Sequence, residues 1–263
     1  MNDAFLEEIR SWFADYTADH LRRGRLPAMM QLKLGHSQRV AREARGLACE
    51  LGWSREDQNT AEALGLLHDA GRFSQLEEFG TFRDRDSVNH AVRGHEVVSA
   101  AGVLRSCSLR RQHQILDGIL HHNALQLPAE CNHDSLDFIR LIRDADKLDI
   151  YAIFLDAITN RRLHEFPEIV HGVDLSGPVN PAMLDALLHG RVPHYNLIHS
   201  LNDWLLIQIS WVYDLFYQPS FRQLLDRRVL ELLAARLPET ADVREAASRA
   251  ITFAREKSSK PDG

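Results

Sequence analysis

The chain has 263 residues, of which 44% are hydrophobic and 26% charged, so it can form one large domain or two small ones and is not compositionally disordered. Its formal net charge of -6 argues against a surface that coats nucleic acid, and its three cysteines lack CxxC spacing and favour a reducing, cytoplasmic compartment. The N-terminal segment is acidic and unlike a signal peptide, so we expect no secretion signal. The sequence has no run of about 18 uncharged apolar residues, so we expect no membrane partner.

Helical periodicity runs through most of the chain, whereas alternating patterns typical of strands are nearly absent. An amphipathic helix is predicted at 2–22, a second at 29–51 with Gly52 as its stop, and a third from Ser54 to about Asp69. The mixed, polar segment 72–89 predicts a loop, with or without a short helix. Further helices are predicted at 90–104, 108–122, 134–158, 179–189, 196–217, 219–236 and 240–256. The sequence therefore predicts an all-α fold.

Histidines and aspartates follow one another along these helices in an ordered series. The series is His36, His68, Asp69, His90, His121, His122 and Asp146. Imidazole and carboxylate together suit manganese, iron, cobalt, nickel or zinc, whereas sets of oxygen ligands alone suit calcium or magnesium. We expect one divalent transition-metal ion and consider a second.

The first ion would take His36, His68, Asp69 and Asp146 as ligands. A second would take His90, His121 and His122, and Asp69 has two oxygens with which to bridge both ions. Such an ion makes hydroxide available near neutral pH and polarises a phosphoryl oxygen, which fits hydrolysis of a phosphate ester.

The order of these residues resembles the HD superfamily of metal-dependent phosphohydrolases. The resemblance rests on the segments 68–73 (HDAGRF), 86–91 (DSVNHA) and 142–149 (IRDADKLD), on a glycine four residues after His90, and on the His-His pair. It covers about residues 30–155 and implies an all-α HD-domain bundle. We expect a single domain over 1–263, with the N-terminal helix 2–22 and a C-terminal helical extension at about 196–256.

The resemblance makes Asp146 the last ligand and Asp144 its competitor, since helix positions two apart face nearly opposite ways. Arg72 follows the His-Asp turn and Lys147 directly follows Asp146. We expect both to act in catalysis beside Asp69, with their positive charge neutralising a phosphoryl oxygen. Asp149 is expected to orient a ligand histidine.

Two departures from the family pattern limit the interpretation. His121 stands where the related bacterial subgroup often lacks a histidine, so the second ion stays open. Residues 123–128 (NALQLP) lack the loop that follows the His-His pair in cyclic-di-GMP phosphodiesterases, so we do not predict that substrate.

We expect hydrolysis of a small phosphorylated substrate, a nucleotide or a related metabolite. Three alternatives remain: a di-iron oxygenase, a nucleotide-sensing module without turnover, and a structural metal domain. The C-terminal aromatic residues predict either a core or the interface of a homodimer.

Overall fold

The computed structural model describes residues 1–127, 132–163 and 173–260. Within these ranges every regular element is a helix, and the two β-bridges are isolated. The prediction of an all-α fold is therefore confirmed. The chain divides into two compact units, Met1–Asp149 and Ile150–Gly263. Among the described residues, no helix combines the length and the apolar character that a membrane span requires.

The first unit is built from helices whose apolar faces meet in one core. They are α1 (Asp3–Ala18), α2 (Ala28–Glu50), α3 (Arg55–Leu67), α4 (Gly71–Phe79), α5 (His90–Ala101), α6 (Leu109–His121) and the first part of α7 (His133–Thr159). Ser54 caps α3 as predicted, because its hydroxyl accepts a hydrogen bond from the backbone N–H of Asp57. These boundaries lie within a few residues of the predicted ones, and the segment predicted as a loop with or without a short helix contains α4.

That segment begins with a helix and ends in a loop. Helix α4 starts at Gly71, directly after the His68-Asp69 turn, and ends where Gly80 adopts a left-handed conformation. A single 3-10 turn, Asp84–Asp86, follows. The buried amide of Gln75 donates hydrogen bonds to Asp84, Ser87 and the carbonyl of Val88, each 2.9 Å long. The loop is thereby attached to α4, which follows the turn that holds Asp69.

The contact between α2 and α3 depends on a glycine. A Cβ atom on Gly65 would lie 2.6 Å from the Cα atom of Ala41 and 2.9 Å from both its nitrogen and the carbonyl oxygen of Val40. All three are backbone atoms, so no side-chain rotation can relieve the overlap. The close approach matters for the site, because α2 carries His36 and His68 directly follows α3.

We expect Gly65→Ala to lower the free energy of unfolding by about 2–3 kcal/mol, because the two helices must separate. Gly46 is the matched control, since it lies exposed in α2 and a Cβ atom at that position would meet nothing within 4 Å. Gly46→Ala should raise the free energy of unfolding by about 0.5–1 kcal/mol. Urea denaturation of both variants checks this pair. Equal effects of the two substitutions would show that the α2–α3 contact does not depend on Gly65.

The second unit consists of the remainder of α7 and five further helices among the described residues. These are α8 (Pro181–Leu188), α9 (Leu201–Ser210), α10 (Gln218–Asp226), α11 (Val229–Ala234) and α12 (Ala241–Ser258). Trp204, Trp211 and Phe221 are buried in its core together with Tyr151 and Phe154 of α7. These aromatic residues therefore form a core, which was one of the two predicted interpretations.

Two of the predicted C-terminal helices are shorter than expected. The helix expected at 196–217 is confined to α9, because Ser200 and Asp203 form a capping box at its start, and a 3-10 turn follows at Trp211–Asp214. The helix expected at 219–236 is divided in two at Arg228, which has a positive φ of 52°. In the sequence, the helical pattern of apolar residues continues across both breaks, so the pattern did not reveal where these helices end.

Candidate metal centre

His68 and Asp69 lie in the turn between α3 and α4 and are almost completely buried. The backbone N–H of His68 donates to Leu64, so the imidazole extends directly from the end of α3. Asp69 follows before α4 begins at Gly71. The apolar helix thus ends by placing an imidazole and a carboxylate in the interior of the first unit.

A first group of ligand atoms forms where α2, α3 and α7 meet. The Nε2 atom of His36 lies 3.3 Å from Nε2 of His68 and 3.0 Å from Oδ1 of Asp146. The Nε2 atom of His68 lies 3.7 Å from the same oxygen. These three side chains offer ligand atoms that all lie within 4.8 Å of one another. Asp144, the competing residue on α7, is buried, and it does not join this group in the part of the chain that the structure describes.

A second group of ligand atoms within 4.8 Å of one another comes from His68, Asp69 and His122, and His90 lies beside it. His90 is the first residue of α5 and His122 directly follows α6. Their Nε2 atoms lie 3.0 Å apart. Both face Oδ1 of Asp69, at 3.5 Å from His90 and 3.7 Å from His122.

Asp69 is shared between the two groups. Its Oδ1 atom faces His90 and His122, whereas its Oδ2 atom lies 3.6 Å from Nε2 of His36 and 3.7 Å from Nε2 of His68. Each oxygen of the carboxylate therefore serves a different pair of imidazoles. This is the arrangement that a carboxylate bridging two ions requires.

Backbone carbonyls orient two of the imidazoles. The Nδ1 atom of His68 lies 2.8 Å from the carbonyl oxygen of Gly65, and Nδ1 of His122 lies 2.7 Å from that of Ile119. A carbonyl oxygen can only accept, so Nδ1 carries the proton in both rings. In the neutral ring, Nε2 then presents its lone pair to the centre.

Carboxylates orient the other two imidazoles. Nδ1 of His36 lies 2.6 Å from Asp149, which also accepts from Arg39, and Nδ1 of His90 lies 2.6 Å from Asp84. Asp149 therefore makes the contact that the sequence predicted for it. Hydrogen bonds of this kind fix the orientation of a ligand histidine and raise its basicity.

The electrostatics of the centre favour a bound cation. Burial lowers the pKa of His68 to about 4 and that of His90 to about 3, so both rings are neutral at pH 7. Burial and Lys33 oppose a proton on His36, yet hydrogen bonds to Asp146 and Asp149 raise its pKa above the ordinary value. Converging lone pairs, and a histidine whose pKa is raised by neighbouring carboxylates, both indicate a place where positive charge is stabilised. The donor set and the protonation states therefore fit a transition-metal ion.

The carboxylates of the centre remain ionised. Burial alone would raise the pKa of Asp69, but Lys33 and the adjoining imidazoles hold it well below its usual range. Burial also opposes ionisation of Asp146, and the hydrogen bond from His36 outweighs it, so that the pKa of Asp146 is lowered. Both groups can thus offer charged oxygens at neutral pH.

His121 is not brought to the centre. It precedes His122 by one residue at the end of α6, and successive helical residues point about 100° apart. The charged groups that act on its imidazole are Asp117, Arg143 and His95, and it joins neither ligand group found in the described part of the chain. The expectation that His121 completes the second set is therefore corrected: His122 is the member of the pair that faces Asp69.

Arg72 and Lys147, expected to serve the substrate, make different contacts. The Nε atom of Arg72 is 3.5 Å from Oδ1 of Asp69. Its Nη1 atom donates to the carbonyl of Phe82 at 2.6 Å, to Gln75 at 2.9 Å and to Asp84 at 3.0 Å. Arg72 thus joins the loop to the centre. Lys147 is buried, and its Nζ atom lies 3.4 Å from the carbonyl oxygen of Arg143.

Three residues that contribute to the centre were missed in the sequence. Lys33 donates to Oδ2 of Asp69 at 2.7 Å, and Asp84 holds His90. Arg143 donates to the carbonyls of His121, His122 and Ala124, so it fixes the end of α6. Only Lys33 left a usable signal, because it precedes His36 by one helical turn. Asp84 lies in a loop without periodicity.

Comparison with known proteins agrees with this geometry. The family model of the HD domain matches residues 34–155, a range that contains every ligand candidate from His36 to Asp146. Comparisons with curated proteins and with solved structures give no match. The HD domain indicates a superfamily of metal-dependent phosphohydrolases. Residues 34–155 are therefore an HD domain.

Proposed function

We propose that this protein is a metal-dependent phosphohydrolase that cleaves a phosphate ester of a small nucleotide or another phosphorylated metabolite. One observation carries the proposal: four imidazole Nε2 atoms converge on the two oxygens of Asp69, with Asp146 beside the first pair. A structural site would need one closed set of four ligands, whereas this cluster offers two sets that share a carboxylate. That division favours catalysis.

The residues that would hold metal follow from the two groups. His36, His68, Asp69 and Asp146 would hold one ion, and His90 and His122 would hold a second together with Asp69. A bound divalent transition metal supplies an activated water and polarises a phosphoryl oxygen. Manganese, iron, cobalt, nickel and zinc all suit this mixture of nitrogen and oxygen donors.

The side chains of the protein prepare the reaction in three ways. Asp149 and Asp84 hold His36 and His90 by their Nδ1 atoms, so that Nε2 stays directed at the centre. Burial excludes water from the imidazoles and strengthens every charge interaction among them. Arg72 and Lys147 would supply positive charge to the phosphoryl group during the reaction. In that reaction the oxygen of a water molecule bonds to phosphorus, the bond from phosphorus to the ester oxygen breaks, and an alcohol and phosphate are released.

The proposal is tested by loading metal-depleted protein with manganese, iron(II), cobalt, nickel or zinc. Each form is then assayed for phosphate release from nucleotides and simple phosphomonoesters, with metal content measured in parallel. We expect release that depends on the added ion. We also expect the ion to stabilise the fold by about 2.7 kcal/mol when its concentration is 100 times Kd.

Other outcomes would favour the alternatives. Oxygen consumption by an iron-loaded form without phosphate release would indicate an oxygenase. Nucleotide binding without turnover under every metal would indicate a sensor. A protein that binds none of the five ions would contradict the proposal at its centre.

A further inference from the structure

Lys33 lies against the carboxylate that the two ligand groups share. Its Nζ atom donates to Oδ2 of Asp69 at 2.7 Å and lies 5.9 Å from the centre of the Phe82 ring. The residue sits on α2, one turn before His36 and just outside the range matched by the family model. Neither the motif series nor that match assigns it a role.

The exposed fractions of the side chains show from which side the centre can be reached. Lys33 is 20% exposed and Asp146 is 19% exposed, whereas Asp69 and His36 are each 3% exposed. A solute that approaches the ligand groups from this side meets Lys33 and Asp146 before it meets Asp69.

The hydrogen-bonding capacity of Lys33 is only partly used. An ammonium group has three N–H donors, and in the described part of the chain the ammonium of Lys33 makes one hydrogen bond, to Asp69. Arg72, which lies beside the other oxygen of Asp69, already donates to Gln75, Phe82 and Asp84. Lys33 is therefore a cation at the centre whose ammonium still has N–H donors available to a ligand.

We propose that Lys33 binds the phosphoryl group of the substrate, on the exposed side of the centre and across Asp69 from Arg72. The inference rests on the proposed phosphohydrolase function. An ammonium is a compact charge on a flexible stem, so Lys33 can turn toward a phosphoryl oxygen while its remaining N–H stays directed at Asp69. The ligand class is thus a phosphate ester whose phosphoryl group reaches the shared carboxylate.

The test uses the full chain loaded with manganese, with inorganic phosphate as the probe and isothermal titration calorimetry as the measurement. Lys33→Met keeps the length of the side chain and removes its charge; Lys33→Arg restores a cation. Arg42→Met is the matched control, because Arg42 is exposed on the same helix. We expect Lys33→Met to weaken phosphate binding about 10- to 100-fold, Lys33→Arg to recover part of it, and Arg42→Met to bind as the parent does.

A second titration, of manganese into metal-depleted protein, separates ligand binding from a structural role. Lys33→Met should bind manganese at least as tightly as the parent, because a positive charge next to Asp69 is removed. Unchanged phosphate affinity in Lys33→Met would overturn the proposal, and so would loss of manganese binding. If the parent binds manganese and phosphate through Lys33 but hydrolyses no ester, the assignment of Lys33 stands and the proposed function fails.

Discussion

Asp69→Asn is expected to lower kcat/KM for ester hydrolysis by about 10³-fold, the upper range for removal of one group that stabilises developing charge. The substitution preserves the shape of the side chain but removes the charge that lies between the two pairs of imidazoles. One of the two carboxylate oxygens is replaced by an amide NH2 group, which donates hydrogen bonds and cannot coordinate an ion. Metal analysis should therefore show a lower ion content, and steady-state kinetics measures the loss of activity.

Asp86→Asn provides the control for this change. Asp86 lies in the exposed part of the loop after α4 and is 48% exposed, with Arg83 and Arg85 at 3.7 Å. The same chemical change there should leave kinetics and metal content near the parent values. Asp69→Asn protein that retained both its activity and its full ion content would contradict the role of Asp69 as the shared ligand.

His122→Ala is expected to lower kcat/KM by at least about 100-fold. Loss of a residue that only hydrogen-bonds to a metal ligand costs up to about 100-fold, and loss of a ligand itself should cost at least as much. His122 faces Oδ1 of Asp69 at 3.7 Å and Nε2 of His90 at 3.0 Å. Its removal should release the ion of the second group while the group of His36, His68 and Asp146 stays intact. Elemental analysis before and after dialysis, combined with kinetics, measures both effects.

His121→Ala is the neighbouring control, since His121 joins neither ligand group in the described part of the chain. We expect it to change kcat/KM less than about threefold and the free energy of unfolding by about 0.5 kcal/mol or less, as is typical of surface substitutions. If His121→Ala impaired activity as strongly as His122→Ala, the assignment of the second group would have to be revised.

Much of the fold could be predicted because its signals are local. The predicted first-unit helices lie close to α1, α2, α3, α5 and α6, since capping residues such as Ser54 and stops such as Gly52 act within a single turn. The same reasoning left the short helix at 72–89 open, because the polar residues after Gly71 give no clear periodicity; the structure places α4 there, attached to the loop through the buried Gln75. The break at Arg228 was concealed for the opposite reason, since the apolar pattern continues across it.

The sequence by itself determined the all-α fold class and the ordered set of histidines and aspartates from which a metal centre could be built. Helical geometry also indicated that Asp144 and Asp146, two positions apart on one helix, could not both face one ion. It could not say which one does. That choice depends on where the other helices lie: α5 and the Asp69 turn select His122 over His121, and α2 selects Asp146 over Asp144.

Only the tertiary structure decided the partners of the ligands. The pair of His36 and Asp149 joins residues 113 positions apart, and the pair of Lys33 and Asp69 joins residues 36 positions apart. Contacts over such separations are set by the packing of α2 against α3 and by the course of α7, for which a single sequence carries no local signal. The physical reason is that periodicity defines the buried face of each helix, whereas the packing of helices against one another defines which atoms meet there.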